Sequence, residues 1–359
     1  MSAEHTAVGN GSEKIIGTRS MIKTLDKSNY AQWDSFVQTT PDATFFHQSG
    51  WKEVIEKAFD HKTYFLYVEN NGEIKGILPL VHVKSLLFGN TLVSTAFCVY
   101  GGIVANDDST ALELDKEACR LAEELGVDCL EMRNRVQTTP ERPYKELYVT
   151  FRKELDADVE KNMLAIPRKQ RAMVRKGIEA GLTSSIDTGV DRLHRAYSES
   201  VRNLGTPVFS KKYFQILKDV FGDQCEVLSI ELNGQLIASV MSFYYKDEVL
   251  PYYGGGTDLA RDVKGNDFMY WEVMRRAVEK GVKIFDYGRS KIGTGSYSFK
   301  KNWGFTPEPL FYEFHLVKAD SLPDINPLNP KYRIFIAAWK RLPLPISQMV
   351  GPWLSKDLG

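Results

Sequence analysis

The sequence has no apolar run approaching the roughly 18–20 residues that a membrane-spanning helix needs. It also has no net charge, because 46 Lys and Arg balance 46 Asp and Glu. No global field therefore recruits nucleic acid or an acidic membrane, and only local patches are left for that role. Cysteine is scarce: Cys98, Cys119, Cys129 and Cys225 show no metal-type spacing, and three of them sit in apolar patterns. They read as reduced core thiols of a cytosolic protein. The six histidines form no pair at helical or strand spacing, so no metal site is expected. Residues 1–22, rich in Gly, Ser and Thr, lack the apolar core of a signal peptide and read as disordered.

What is present is a pattern that occurs twice. Val68-Glu69-Asn70-Asn71-Gly72-Glu73-Ile74 and Glu231-Leu232-Asn233-Gly234-Gln235-Leu236 each place Asn-Gly between apolar runs, the signature of a tight β-hairpin. In each half a strand follows and ends near a glycine cluster, Gly101-Gly102 or Gly254-Gly255-Gly256. A helical segment comes next, closing at Gly126 or Gly281, and then a short strand, Cys129–Met132 or Ile284–Tyr287. The offsets between partners run from about 153 to about 162, as a duplicated domain with small insertions would give.

The first half is expected to hold helices opened by Trp33 and Trp51 and strands at 63–69, 74–83 and 97–104. Ser109 then caps a helix, and strands at 127–132 and 147–151 complete the unit. The second half is expected to hold helices at 191–204 and 211–221 and strands at 226–232, 236–245 and 249–254. Asn266 caps a helix whose Phe268, Trp271, Met274 and Val278 face the core, and strands at 283–287 and 310–316 close this unit. The resulting division is a disordered start over 1–22, domains over 23–155 and 186–320, a basic helical junction over 156–185 and an amphipathic tail over 321–359. Two strands and then a helix, rather than strict alternation, argue for mixed-sheet α/β architecture and against a doubly wound sheet. In the junction, Arg168, Arg171 and Arg175 share one helical face. That face is either solvated or a patch for the phosphates of a donor, a lipid carrier or RNA.

The densest chemistry runs from Phe285-Asp286-Tyr287-Gly288-Arg289-Ser290 to Tyr297-Ser298-Phe299-Lys300-Lys301-Asn302-Trp303-Gly304-Phe305. With the tandem halves and the basic Pro167–Arg171 stretch, these residues resemble the FemAB family of aminoacyl and peptidyl-bridge transferases. The branch they are most similar to is the FemAB-like proteins of bacterial exosortase/PEP-CTERM systems. The resemblance implies tandem GNAT-like domains and transfer of an acyl or aminoacyl group from an activated donor to an amine or hydroxyl. It further implies an acceptor among cell-envelope, peptidoglycan or exopolysaccharide precursors, with no bound cofactor. The donor would be aminoacyl-tRNA or an acyl thioester, and the acceptor a lipid-linked sugar or peptide precursor. The setting would be the cytoplasm or the inner face of the cytoplasmic membrane.

On that basis Asp286 is the candidate to orient or deprotonate the acceptor, unless it simply pairs with Arg289 to fix the loop. Lys300 and Arg289 would hold a phosphate or carboxylate or polarise the carbonyl, with Ser290, Lys301, Arg168 and Arg171 as further binding residues. Tyr253 and Tyr287 would donate to an oxyanion or leaving group, although Tyr252 and Tyr253 also suit packing. Coenzyme A users of this fold cradle pyrophosphate at a helix N-terminus. Here Arg261-Asp262-Val263-Lys264-Gly265-Asn266-Asp267 has shifted spacing, and Asp267 would put negative charge in the cradle. An acyl-coenzyme A or acyl-carrier-protein N-acyltransferase and a non-catalytic scaffold of a polysaccharide machine are the alternatives. In the tail, Trp339 beside Lys340-Arg341 suits either a membrane interface or a helix docked on its own domain, with Pro343 and Pro345 limiting helix length.

Overall fold

The computed structural model describes residues 21–85, 88–323 and 330–358. The first half runs β1 (Met21–Thr24), α1 (Tyr30–Thr39), α2 (Gly50–Phe59), β2 (Lys62–Asn70), β3 (Glu73–Ser85), β4 (Gly89–Ser94), β5 (Val104–Ala105), α3 (Asp108–Leu125), β6 (Cys129–Asn134), β7 (Tyr144–Lys145) and β8 (Tyr148–Glu154). The junction holds α4 (Val159–Ala165) and α5 (Arg168–Glu179). The second half runs β9 (Thr183–Asp187), α6 (Asp191–Leu204), α7 (Lys211–Phe221), β10 (Cys225–Leu232), β11 (Gln235–Tyr245), β12 (Glu248–Gly256), α8 (Gly265–Glu279), β13 (Ile284–Asp286), β14 (Ser290–Lys291), α9 (Gly295–Asn302), β15 (Pro307–Pro309) and β16 (Phe311–Leu316). Helices α10 (Pro330–Trp339) and α11 (Leu344–Ser355) follow.

The duplication is visible in the hairpins. Asn71 and Gly72 have φ of 54° and 80°, and Asn233 and Gly234 have 51° and 79°, so both turns place two central residues in the left-handed region. Each hairpin also carries a bulge two pairs from the turn, at Val68/Glu69 and at Ile230/Glu231. Each sheet has one parallel pair, β4 with β6 and β12 with β13. The β12–β13 pairing covers only Glu248↔Ile284 and Val249↔Phe285, so the strands part beyond Phe285 and open a V at Asp286.

The sheets exchange strands. One orders as β1-β2-β3-β4-β6-β16-β7 with β5 on β3, the other as β14-β8-β13-β12-β11-β10-β9 with β15 on β8. Strand β8, expected to complete the first unit, lies in the second sheet, where Arg152 pairs with Asp286. Strand β16, expected to close the second unit, lies in the first, where Tyr312 pairs with Arg133. The boundaries drawn at 155 and 320 therefore do not separate the sheets. A continuous apolar core joins the halves: Phe45 stacks on Phe243 at 4.4 Å, Trp51 meets Phe221 at 5.3 Å and Phe59 meets Tyr213 at 4.8 Å.

Other expectations change locally. Residues 21–22 belong to β1, paired with β2, while the disorder expected of residues 1–20 lies outside the described residues. The strand expected over 97–104 is mostly a loop, with Thr95 at φ 48° and Phe97 at φ 68°. Its apolar composition reflects burial between the halves rather than pairing. Asp107, not Ser109, caps α3 by accepting from Thr110 N at 2.8 Å. Helix α8 starts at Gly265 after a left-handed Lys264, with no side-chain cap from Asn266. In the tail, Pro343 and Pro345 open α11 instead of ending a helix, as proline in a first turn permits.

Candidate active site

Asp286 sits where β13 leaves β12, and it is fully buried. Its carboxylate accepts from Tyr100 Oη at 2.9 Å, Thr150 Oγ1 at 3.3 Å, Arg152 Nη1 at 3.1 Å and Gly288 N at 2.7 Å. Gly288 has φ of 68°, the left-handed geometry that turns its N–H back onto the carboxylate. Arg152 also donates to Glu248 at 3.0 Å. The ion-pair partner of Asp286 is thus Arg152, placed there by strand exchange, and not Arg289. A buried carboxylate surrounded by four donors is a positioning group for this turn, not a free base. Tyr100, Thr150 and Arg152 were not singled out from the sequence. Their link to Asp286 depends on β8 crossing between sheets, and only Gly101-Gly102 marked the neighbourhood.

The turn presents the other candidates. Lys300, on α9, donates from Nζ to Gly288 O and Arg289 O, both at 3.0 Å. Its ammonium lies 5.7 Å from the Phe151 ring centroid and 5.9 Å from that of Tyr287. Removal from water pushes its pKa down to about 7; Asp286 opposes this shift and Arg289 adds to it. Arg289 lies over the Tyr148 ring at 4.8 Å and donates to Tyr312 Oη at 3.1 Å. Ser290 and Tyr287 are buried, and their hydroxyls have no hydrogen-bond partner among the described residues. Burial holds the Tyr287 phenol well above its ordinary pKa, so it is a donor rather than a base.

The remaining candidates lie elsewhere. Tyr253 shares a 2.7 Å hydrogen bond with Tyr213 Oη, inside a cluster with Tyr197, Phe209 and Phe214. It packs the core between the halves and does not contact the turn, and Tyr252 donates to Phe97 O at 2.9 Å. Lys301 is exposed beside Tyr297. On α5, Arg168 is exposed and Arg171 donates back to Leu164 O at 2.8 Å. Asp267, in the first turn of α8, accepts from Gln170 Nε2 at 2.9 Å and Trp303 Nε1 at 3.0 Å. Burial raises its pKa.

A cleft of about 510 Å³ is lined by residues of both sheets and the loop between β4 and β5, among them Tyr100, Gly101, Gly102, Arg133, Arg135 and Thr150. Two Asp286 partners, Tyr100 and Thr150, therefore form part of its wall. Two further lining residues, Asn134 and Thr138, are held by buried Glu313 of β16, which accepts from Asn134 Nδ2 at 2.7 Å, Thr138 N at 2.8 Å and Thr139 N at 3.0 Å. Among the described residues no group of three or more His, Cys, Asp or Glu is arranged to hold a metal.

Residues 166–301 match a family model described as an acetyltransferase (GNAT) domain. No curated protein sequence matches the chain. Among solved structures, a crystal structure of FemX is similar at 13% identity and TM-score 0.65, over 88% of this chain and 100% of that one. A tandem GNAT protein from the clavulanic acid biosynthesis pathway is similar at 12% identity and TM-score 0.54, over 84% and 100%. So is the C-terminal domain (DUF2156) of a putative lysylphosphatidylglycerol synthetase from Agrobacterium fabrum, at 14% identity and TM-score 0.53, over 81% and 92%. At these identities the likeness is one of fold. The chain has a tandem GNAT-like fold with two mixed sheets, and the GNAT acetyltransferase match falls on its junction and second half, residues 166–301.

Proposed function

We propose that the chain is a FemAB-type transferase, of the branch associated with exosortase/PEP-CTERM systems. It moves an aminoacyl or acyl group from an activated donor to an amine or hydroxyl of a cell-envelope or exopolysaccharide precursor, such as a lipid-linked sugar or peptide. The observation that carries this reading is the placement of Lys300, whose Nζ is held 3.0 Å from both Gly288 O and Arg289 O and whose pKa burial pushes down to about 7. A neutral amine has two N–H bonds and one lone pair. The two carbonyls engage both N–H bonds and leave the lone pair free. The acceptor nitrogen or oxygen attacks the donor carbonyl carbon and sheds a proton to Lys300. As the ester or thioester bond breaks, Lys300 returns that proton to the departing oxygen or sulfur. Asp286 keeps the turn in register, the exposed Arg289 binds a phosphate or carboxylate of the substrate, and the buried hydroxyls of Ser290 and Tyr287 are further donors beneath the turn.

The FemAB resemblance of the sequence points to aminoacyl-tRNA as donor, with Arg168 and the exposed Lys169, Arg175 and Lys176 of α5 available to its phosphates. A second reading has its own support. The Asp267 carboxylate is engaged by Gln170 and Trp303 and burial raises its pKa, which lessens its opposition to a pyrophosphate at the α8 N-terminus, where an acyl-coenzyme A would sit. Equilibrium binding of charged tRNA across a salt series, with acyl-coenzyme A as competitor, separates the two. Salt-sensitive retention of charged tRNA that acyl-coenzyme A does not displace supports the aminoacyl donor. Acyl-coenzyme A binding without tRNA binding moves the protein to the N-acyltransferases. Binding of neither donor removes the transferase reading and leaves a scaffold role.

A further inference from the structure

Helix α11 is amphipathic the wrong way round for a helix whose only partner is its own protein. Its buried face is Ser347, Gly351 and Ser355, one turn apart. A Cβ added at Gly351 would lie 2.9 Å from Val208 N and O, and Ser355 Oγ donates to Val208 O at 3.1 Å. The helix end is held by His61 Nε2 donating to Lys356 O at 2.6 Å, and the preceding turn by Arg202 donating to Leu342 O at 3.3 Å. Its large apolar side chains point outward: Ile346, Met349 and Trp353, at i, i+3 and i+7, are 41%, 74% and 64% exposed. On α10, Ile334 and Phe335 are exposed as well. Trp339 instead is buried against Phe335, so it is not the interfacial tryptophan that its sequence context suggests.

Within α10 and α11 the charge is of one sign, and the acid that follows, Asp357, is turned toward His61 at 3.9 Å. From Pro330 to Ser355 the sequence holds Lys331, Arg333, Lys340 and Arg341 and no Asp or Glu. Arg333, Lys340 and Arg341 are exposed and have no ion-pair partner among the described residues. A helix fixed to its domain by small residues, presenting Trp, Met and Ile amid unpaired cations, matches a surface that is apolar within and anionic at its edge. At 12 residues α11 is too short to cross a bilayer.

We propose that the outward face of α10 and α11 docks the protein on an anionic lipid surface, with Ile346, Met349 and Trp353 at acyl-chain depth and Arg333, Lys340 and Arg341 among the headgroups. The docking does not depend on which acyl donor the enzyme uses. Trp353 supplies its own probe, because Trp33, Trp51, Trp271, Trp303 and Trp339 are all buried.

The test uses the full chain with phosphatidylcholine vesicles, with and without phosphatidylglycerol. Expected are salt-sensitive co-sedimentation with the phosphatidylglycerol vesicles, a blue shift of tryptophan emission, and protection of that emission from an aqueous quencher. The Trp353→Phe variant should lose the spectral change while still binding. Met349→Ser with Trp353→Ser should weaken binding by on the order of tenfold or more, and Lys340→Glu with Arg341→Glu should do so on anionic vesicles. All four positions are exposed, so the unfolding midpoint should not move. No retention on anionic vesicles, or full retention by the Met349/Trp353 variant, overturns the proposal. So does a solution dimer that buries Trp353 and is lost with Met349→Ser.

Discussion

Tyr100 Oη donates to the Asp286 carboxylate across 2.9 Å, joining the first half of the chain to the point where the second sheet opens. Arg152 reaches the same carboxylate from a strand that the first half lends to the second sheet. The geometry separates what this aspartate needs from what it does. Arg152→Met leaves a buried carboxylate without its countercharge and is expected to cost about 3–5 kcal/mol of stability. Asp286→Asn leaves Arg152 paired with Glu248 and keeps most of the donors useful, so it should cost only about 1–3 kcal/mol. Denaturant unfolding of both variants checks the order. A smaller loss for Arg152→Met than for Asp286→Asn would contradict it.

Lys300 makes stability depend on pH in a stated direction. Its folded pKa of about 7 lies below the ordinary 10.5, so the unfolded chain holds the extra proton between those values. The destabilisation is therefore full below about 7, shrinks as pH rises, and is gone above about 10.5. Lys300→Met should raise the thermal midpoint most at mildly acidic pH, with the gain over the native chain fading toward alkaline pH. A gain that grows with pH would refute the assignment.

Strand exchange predicts one cooperative unfolding transition. Each sheet contains a strand from the other half, so neither sheet is complete without both. A chain ending after Gly304 loses β15 and β16, exposes the edge of β6 and removes Glu313, the acceptor for Asn134, Thr138 and Thr139. Calorimetry should show a single transition for the full chain, and the truncated chain should not fold its first sheet. Two well-separated transitions would show that the halves are independent.

The parts of this fold legible in the sequence are those governed by neighbouring residues. Asn-Gly turns need two left-handed residues and announce themselves, as at Asn71-Gly72 and Asn233-Gly234. The α8 stripe of Phe268, Trp271, Met274 and Val278 follows from helical spacing and is buried as expected. Pairing across the chain is not local. The strand at Tyr148–Glu154 reads the same whether it joins β7 or β13, and only the folded chain places Arg152 opposite Asp286. The apolar stretch from Phe97 to Tyr100 reads as a strand because burial between two halves and burial in a sheet select the same residues. Asp286 and Lys300 are visible as chemistry, but the donors that fix Asp286 arrive from the first half, and Lys300 is held by the carbonyls of the turn beside it.

The central claim is that Lys300 carries the proton of an acyl or aminoacyl transfer. Its most direct test is single-turnover consumption of whichever donor binds, across a pH series, for the native protein and for Lys300→Arg. The account predicts a native rate that rises with pH and levels off above about 7. Lys300→Arg keeps a cation but cannot release its proton, so it should bind donor yet turn it over roughly 10²–10⁴-fold more slowly, with no inflection. A Lys300→Arg protein with the native rate and the native inflection would contradict the account.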